Sequence, residues 1–389
     1  MDTITQRQSQ DAIDHPISTP APPPLDKTAE AEMSIEVASQ WQLMWWKFRK
    51  HHLAVIGLAV VLLFYFVAIF ADFFAPVSTS TYIADYAYAP PQVINLFQNG
   101  QFAPYVNGYK FSRDPKSFKK IWALDDTVII PIGLFVQGEP YKVLGIIPTN
   151  IHLIGTRDTG QPFYLMGADK TGRDVFSRIV FSARVSLSIG LVGVALSFTL
   201  GIVLGGISGL IGGFWDNVIQ RLIEITMSIP ALPIIIAFGA LVPIDWNVLL
   251  VYFIVSILLA FTNWTGLARV VRSKFLALRE EDFVLAARLD GAKSRRLIFR
   301  HMLPSFYSHI IASVTLALPG MILAETALSY LGVGLRAPAV SWGVLLQDAQ
   351  RINVIASYPW LLSPAFAVII IVLAFNFLGD GLRDAADPY

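Results

Sequence analysis

The stretch VSLSIGLVGVALSFTLGIVLGGISGLI, Val185–Ile211, contains no charged residue. A bilayer core takes about 20 consecutive apolar helical residues to cross. Helix is the backbone open to such a run, because unpaired N–H and C=O groups are not tolerated against lipid. The stretch therefore reads as a membrane-spanning helix. Its Gly190, Gly193, Gly201, Gly205, Gly206 and Gly209 let neighbouring helices approach closely. That pattern serves either packing within the chain or a pathway or partner surface.

Five further runs fit the same requirement: Leu53–Ala75, Val218–Val242, Asn247–Val271, Ile310–Leu331 and Trp360–Leu378. The first holds one acid, Asp72, near its end, and Val218–Val242 carries Arg221 and Glu224 in its early turns. Six crossings predict an all-α polytopic membrane protein. Composition agrees, with 54% hydrophobic residues, 15% charged residues and a mean hydropathy of +0.57, where a soluble domain carries about a quarter charged. A net charge of +1 gives no reason to expect a nucleic-acid partner, and the absence of cysteine excludes a disulfide framework or thiolate metal site.

Residues 1–40 differ from the rest. Five prolines fall between His15 and Leu25 among Ser, Thr, Gln and acids, so a disordered tail is expected. No positive region followed by an apolar run starts near Met1, which argues against a cleaved signal. The first apolar run follows Lys47, Arg49 and Lys50 and reads as an uncleaved membrane anchor over 41–75. Those bases place the N-terminus in the cytoplasm. The connection between the fourth and fifth runs holds nine bases, Arg269 to Arg300, against Glu280, Glu281, Asp282 and Asp290, and is expected on the same side. Six crossings then put the C-terminus inside as well.

Residues 76–164 fall outside on this topology, and 165–389 form a core with five crossings. The runs Thr127–Phe135 and Tyr141–Ile147 are β-branched and aromatic, with Gly138 and Pro140 between them. They predict two strands of a small β-rich external insert. A second external segment, Gly332–Pro359, is expected at the outer surface or in the mouth of the pathway.

The connection 269–304 carries the mechanism. Phe283, Ala286, Ala287 and Leu289 fall at helical spacing, Gly291 breaks the helix, and a second short helix is expected over Ser294–Met302 before Pro304. Paired alanines beside a glycine leave a helix with little bulk on one face, suited to a partner's groove, while the flanking charges set orientation. A solvated loop helix is the plainer alternative.

The segment DFVLAARLDGAKSRRLIFRHMLP, Asp282–Pro304, resembles the coupling loop of binding-protein-dependent ABC importer permeases. Ala286, Ala287, Gly291, Leu303 and Pro304 match that pattern; its Glu is Leu285 here, with Asp282 one turn earlier. Four further segments, Gly167–Gly190, Gly212–Pro230, Ala324–Ala349 and Asn376–Pro388, resemble the C-type subunit of dipeptide and oligopeptide permeases, as does Trp45–Leu58. Segment 76–162 is longer than in the plainest members of that group.

The resemblance implies six helices of the ABC type I importer permease fold in a bacterial inner membrane. It implies coupling through Asp282, Ala286, Ala287, Gly291, Ala292, Leu303 and Pro304. It also implies a homologous B-type permease partner, two ATPase subunits holding ATP and Mg, and a periplasmic or lipid-anchored binding protein. The chain itself is expected to bind no cofactor or metal and to catalyse no reaction. Peptides are the expected cargo, with oligosaccharides or nickel chelates as the alternative.

Several features mislead. Asp169-Lys170-Thr171 has the look of a phosphate loop but lacks the required Gly before Lys. His51 and His52 are adjacent and share no helix face, and His301 and His309 are too isolated for a metal site. Glu325 lies within the fifth run. An acid there is either a functional group of the pathway or a partner of Ser329 near the outer end. A stand-alone secondary transporter would show inverted repeats and broken helices, and an intramembrane enzyme would show spaced catalytic residues. Neither pattern is present in the sequence.

Overall fold

The computed structural model describes residues 40–113, 115, 120–157, 160–243 and 245–386. The expected disordered tail, 1–40, lies outside them apart from Gln40. In the unit Met1–Trp46, the described part is the opening of helix α1 (Gln40–Lys50). All that follows concerns the unit Lys47–Tyr389.

The first apolar run forms α2 (His52–Ile69) and a short turn, α3 (Ala71–Phe74). The charge-free stretch is the inner part of α4 (Val175–Ile211), which Asp174 caps by accepting from the Phe176 and Ser177 amides. The expected third crossing, Val218–Val242, is not one helix. It divides into α5 (Gly213–Ser228) and α6 (Ala231–Leu241), bent by 83°. Pro230 explains the break: Ile229 before it takes the extended backbone, φ −102°, ψ 126°, that a following proline favours.

Next come α7 (Val248–Leu278) and the short α8 (Asp282–Leu289). The expected short helix Ser294–Met302 is helical, as an α turn at Ser294–Arg296 and a π turn at Leu297–Met302, but it does not stop before Pro304 and runs on through a 3₁₀ turn at Leu303–Phe306 into α9 (Tyr307–Tyr330). Pro304 has no N–H to give the helical ladder there, which favours the local change of pitch. Beyond α9, the short α10 (Trp342–Gln347) and α11 (Ile352–Ser357) lead to α12 (Ser363–Ala386). Among the described residues, five helical stretches are long and apolar enough to cross a membrane, or six spans if the bent pair counts as one.

The glycines of α4 are used in packing. A Cβ on Gly205 would stand 2.5 Å from the Ala268 carbonyl oxygen of α7, and one on Gly209 2.7 Å from that of Arg272. A Cβ on Gly190 would meet Ile322 of α9 at 2.9 Å. Between membrane helices, where lipid tails are as apolar as Leu, such close approach supplies the attraction. The same device joins α2 to α12: a Cβ on Gly57 would stand 2.6 Å from the Ala374 carbonyl oxygen.

Between α3 and α4 lies a four-stranded antiparallel sheet in the order β1 (Asn95–Gln98), β2 (Gln101–Arg113), β3 (Lys120–Val143) and β4 (Ile147–Thr156). Val106, Ile130, Ile132 and Phe163 form its buried core. The expected division into strands at Gly138–Pro140 is a β-bulge instead; β3 continues to Val143. Proline is accommodated at such a bulge because the ladder is interrupted there. The chain reverses at Leu144-Gly145, both with positive φ. The sheet sits on the end of the first span: His152 Nδ1 lies 2.7 Å from the Ala75 carbonyl, and the Phe135 and Phe73 rings are 6.1 Å apart.

Candidate functional site

The connection from α7 to α9 forms a foot beneath the helices. Within α8, Val284 and Ala287 turn inward and are buried, while Phe283, Leu285 and Ala286 face solvent. Leu289 is 89% exposed. An apolar side chain so fully in water has no reason in the fold of this chain alone. Asp282 opens the helix, where its charge suits the positive end of the dipole.

The helix ends in a Schellman motif. Ala292 N–H donates to the Ala287 carbonyl and Gly291 N–H to that of Arg288, both at 3.0 Å. Gly291 has φ +81°, the left-handed conformation this cap needs and that glycine takes without strain. No atom lies within 4 Å of where its Cβ would be, so the surface around Gly291 is open. Ala287, Gly291 and Ala292 thus act together as one cap. Leu303 is buried and Pro304 half-buried in the approach to α9.

The foot is tied to the membrane helices. Phe275 near the end of α7 meets Phe306 edge-on at 5.7 Å, and Leu297, Ile298 and Met302 are buried beside α8. Arg272 of α7 makes a two-pronged ion pair with Asp216 of α5, Nε–Oδ1 and Nη2–Oδ2 each 2.7 Å. Ser208 of α4 donates to the same carboxylate. Sequence reasoning missed this clamp. Its members lie 56 positions apart, and no local period links them.

At the other end of the helices stands Glu325 of α9, fully buried at 0% exposure. Ser329 donates to it at 2.8 Å and Ser186 of α4 at 3.4 Å. The same two hydroxyls accept the backbone N–H groups of Leu335 and Trp342, at 3.0 and 3.1 Å. Glu325 therefore fastens the segment after α9 onto α4 and α9 through two serines. Ser329 is thus the partner of Glu325 that the sequence offered. It lies apart from the α8 set.

The Asp169–Thr171 turn holds no room for a phosphate. The Asp169 carboxylate occupies the turn, accepting from the Thr171 N–H at 2.7 Å and the Arg173 N–H at 3.0 Å. It also pairs with buried Arg178. Beside it, burial pushes the Asp174 carboxyl up to about 6, although the Ser177 amide donates to it at 2.7 Å. His51 serves as the N-cap of α2, accepting from Ala54 N–H at 3.1 Å.

Two protein families match. Residues 201–389 match the family described as binding-protein-dependent transport system inner membrane component. Residues 39–91 match the N-terminal transmembrane domain of oligopeptide transport permease C. The dipeptide transport system permease protein of Bacillus subtilis is 38% identical over 262 residues, covering 67% of this chain and 78% of that protein. The oligopeptide transport system permease protein of the same organism is 38% identical over 223 residues, covering 57% and 70%. Among solved structures, the inward-facing MetNI methionine ABC transporter aligns with a TM-score of 0.41 and 18% identity, over 55% of this chain and 97% of that one.

Proposed function

The chain belongs to the permeases of binding-protein-dependent ABC importers, of the C-type dipeptide and oligopeptide kind, and on that premise we propose that it carries di- or oligopeptides inward as half of a translocation path. The names of its relatives support peptides over oligosaccharides or nickel chelates. A homologous B-type permease supplies the other half. Two ATPase subunits, which hold ATP and Mg, dock on the α8 foot, and a periplasmic or lipid-anchored binding protein delivers cargo to the opposite face. Both termini and the foot lie in the cytoplasm of a bacterial inner-membrane protein. The chain is the non-catalytic member of the complex.

The observation that carries this reading is the exposed apolar ridge of α8 on a capped, rigidly mounted helix. A moving ATPase transmits force through α8 only if α8 cannot slip against the spans. The Arg272–Asp216 pair and the Phe275–Phe306 contact supply that stiffness. Asp282, Ala286, Ala287, Gly291, Ala292, Leu303 and Pro304 are assigned to coupling: the exposed ones to contact, the buried ones to mounting.

The test is Gly291→Asp in the complete transporter, reconstituted in liposomes with its binding protein and labelled peptides. The space beside Gly291 is open within this chain, and aspartate is among the side chains that best tolerate its φ of +81°, so the new side chain projects toward the docked partner. Transport-coupled ATP hydrolysis is expected to be abolished while the permease pair still assembles. Normal uptake would sink the coupling assignment. Uptake of an oligosaccharide or nickel chelate in preference to peptides would overturn the cargo alone.

A further inference from the structure

The sheet has two tight hairpin turns, each with two successive residues of positive φ, that differ in the residue placed first. Between β1 and β2 stands Asn99-Gly100, with φ +51° and +80°. Asn-Gly is the favoured pair for a turn that needs two positive φ values. Between β3 and β4 stands Leu144-Gly145, with φ +51° and +76°. The turn is closed, with Ile146 N–H donating to the Val143 carbonyl at 3.0 Å. Leucine is a poor choice there on two counts: a branched apolar side chain disfavours the left-handed region, and at this tip the rest of the chain leaves it exposed. Leu144 is 62% exposed, Ile146 78% and Ile147 62%. The stretch Tyr141–Pro148, YKVLGIIP, has no acid.

The position of the hairpin accounts for this choice. Its middle rests on α3, directly after the first membrane span. There His152 bonds the Ala75 carbonyl, and Phe135 meets Phe73. Phe135 is itself exposed with φ +55°, a second apolar side chain in a left-handed conformation on the same hairpin. Tyr141 and Asp72 line one cavity at this level. From Tyr141 the strand runs about 10 Å further to Leu144 at about 3.3 Å per residue. The aliphatic tip therefore lies about 10 Å beyond the residue that faces Asp72 at the end of the first span. Tyr141 and Lys142 stand where an aromatic ring and a long cationic chain suit the headgroup zone.

We propose that the β3–β4 tip, Leu144, Ile146 and Ile147, dips into the outer leaflet of the bilayer and anchors the external sheet to the membrane. A lipid surface is the occupant that fits three aliphatic side chains without an acid, beside a transmembrane helix end. The anchor fixes the height and tilt of the sheet above the translocation path. This inference rests on the chain being membrane-embedded with the sheet on the outer side and the foot on the inner one, and is independent of its cargo and of ATPase docking on α8.

The chain has no cysteine, so it can be labelled at a single introduced cysteine before it is assembled with its partner subunits. The full transporter carrying Ile146→Cys, labelled with an environment-sensitive fluorophore, is placed in nanodiscs containing nitroxide-labelled phosphatidylcholine. Asn99→Cys, at the other turn, gives the value for a water-exposed tip. The label at position 146 is expected to lose roughly half its emission to the lipid nitroxide and to resist iodide. Adding Leu144→Asn, which suits the turn but not lipid, should reduce that nitroxide quenching about twofold. The proposal is overturned if iodide quenches position 146 as it does position 99. It is equally overturned if a partner subunit shields position 146 from both quenchers, or if Leu144→Asn leaves the nitroxide quenching unchanged.

Discussion

Arg272 grips Asp216 with two parallel hydrogen bonds of 2.7 Å, joining α7 to α5 just before the chain enters the foot. A guanidinium fork matches a carboxylate in this way and an ammonium does not. Arg272→Lys should therefore behave almost as Arg272→Ala does. Each is expected to lower stability by about 1–2 kcal/mol and to reduce transport per ATP hydrolysed. Thermal melting in detergent and the ratio of uptake to hydrolysis check this. Full rescue by lysine would show that charge alone is at work.

Leu289 makes the opposite case, a residue whose removal should cost the fold nothing. It is 89% exposed, so Leu289→Ser is expected to change stability by less than about 0.5 kcal/mol. If the ATPase buries this side chain, its affinity for the permease pair should fall by roughly 10-fold, the transfer of one leucine out of water. Titration of purified ATPase onto the reconstituted permeases measures it. Unchanged binding would remove Leu289 from the docking surface.

Glu325 should be costly to truncate. Glu325→Ala leaves two hydroxyls without their acceptor and opens a cavity, and is expected to destabilise by about 2–4 kcal/mol. Glu325→Gln keeps the shape and an acceptor and should cost less than half of that. Comparison of the two melting temperatures decides whether the acid organises the segment from Leu335 to Trp342. A wild-type melting temperature for the alanine variant would exclude it.

Asp174 predicts a pH dependence with a definite sign. Burial raises its carboxyl from 3.8 to about 6 in the folded chain. Between those values the folded state holds more protons than the unfolded one, so this group makes stability fall as pH rises from about 4 to 6. Above pH 6 its contribution is level, at a penalty on the order of 2–3 kcal/mol. Asp174→Asn keeps an oxygen for capping α4 and should be relatively more stable at pH 7 than at pH 4. Melting curves of both proteins across pH 4–7 test the difference, and parallel curves would contradict it.

The sequence disclosed the membrane helices because apolar runs such as Val185–Ile211 need no partner to be read. The α8 helix and its end at Gly291 were legible for the same reason, since a cap is local chemistry. Where tertiary or long-range geometry decides, legibility stopped. Val218–Val242 is apolar enough for one span, yet the backbone before Pro230 turns through 83°. Gly138 and Pro140 look like a hairpin turn but form a bulge in a longer strand. The Arg272–Asp216 clamp and the serines around Glu325 join distant segments, and hydrophobic period carries no trace of them.

The contact of α4 with α7 limits how the transporter can move. With the Ala268 and Arg272 carbonyls pressed against Gly205 and Gly209, sliding one helix along the other would drive side chains of α4 into backbone. The two helices form a single beam. Any movement that opens or closes the path must then carry α4 and α7 together.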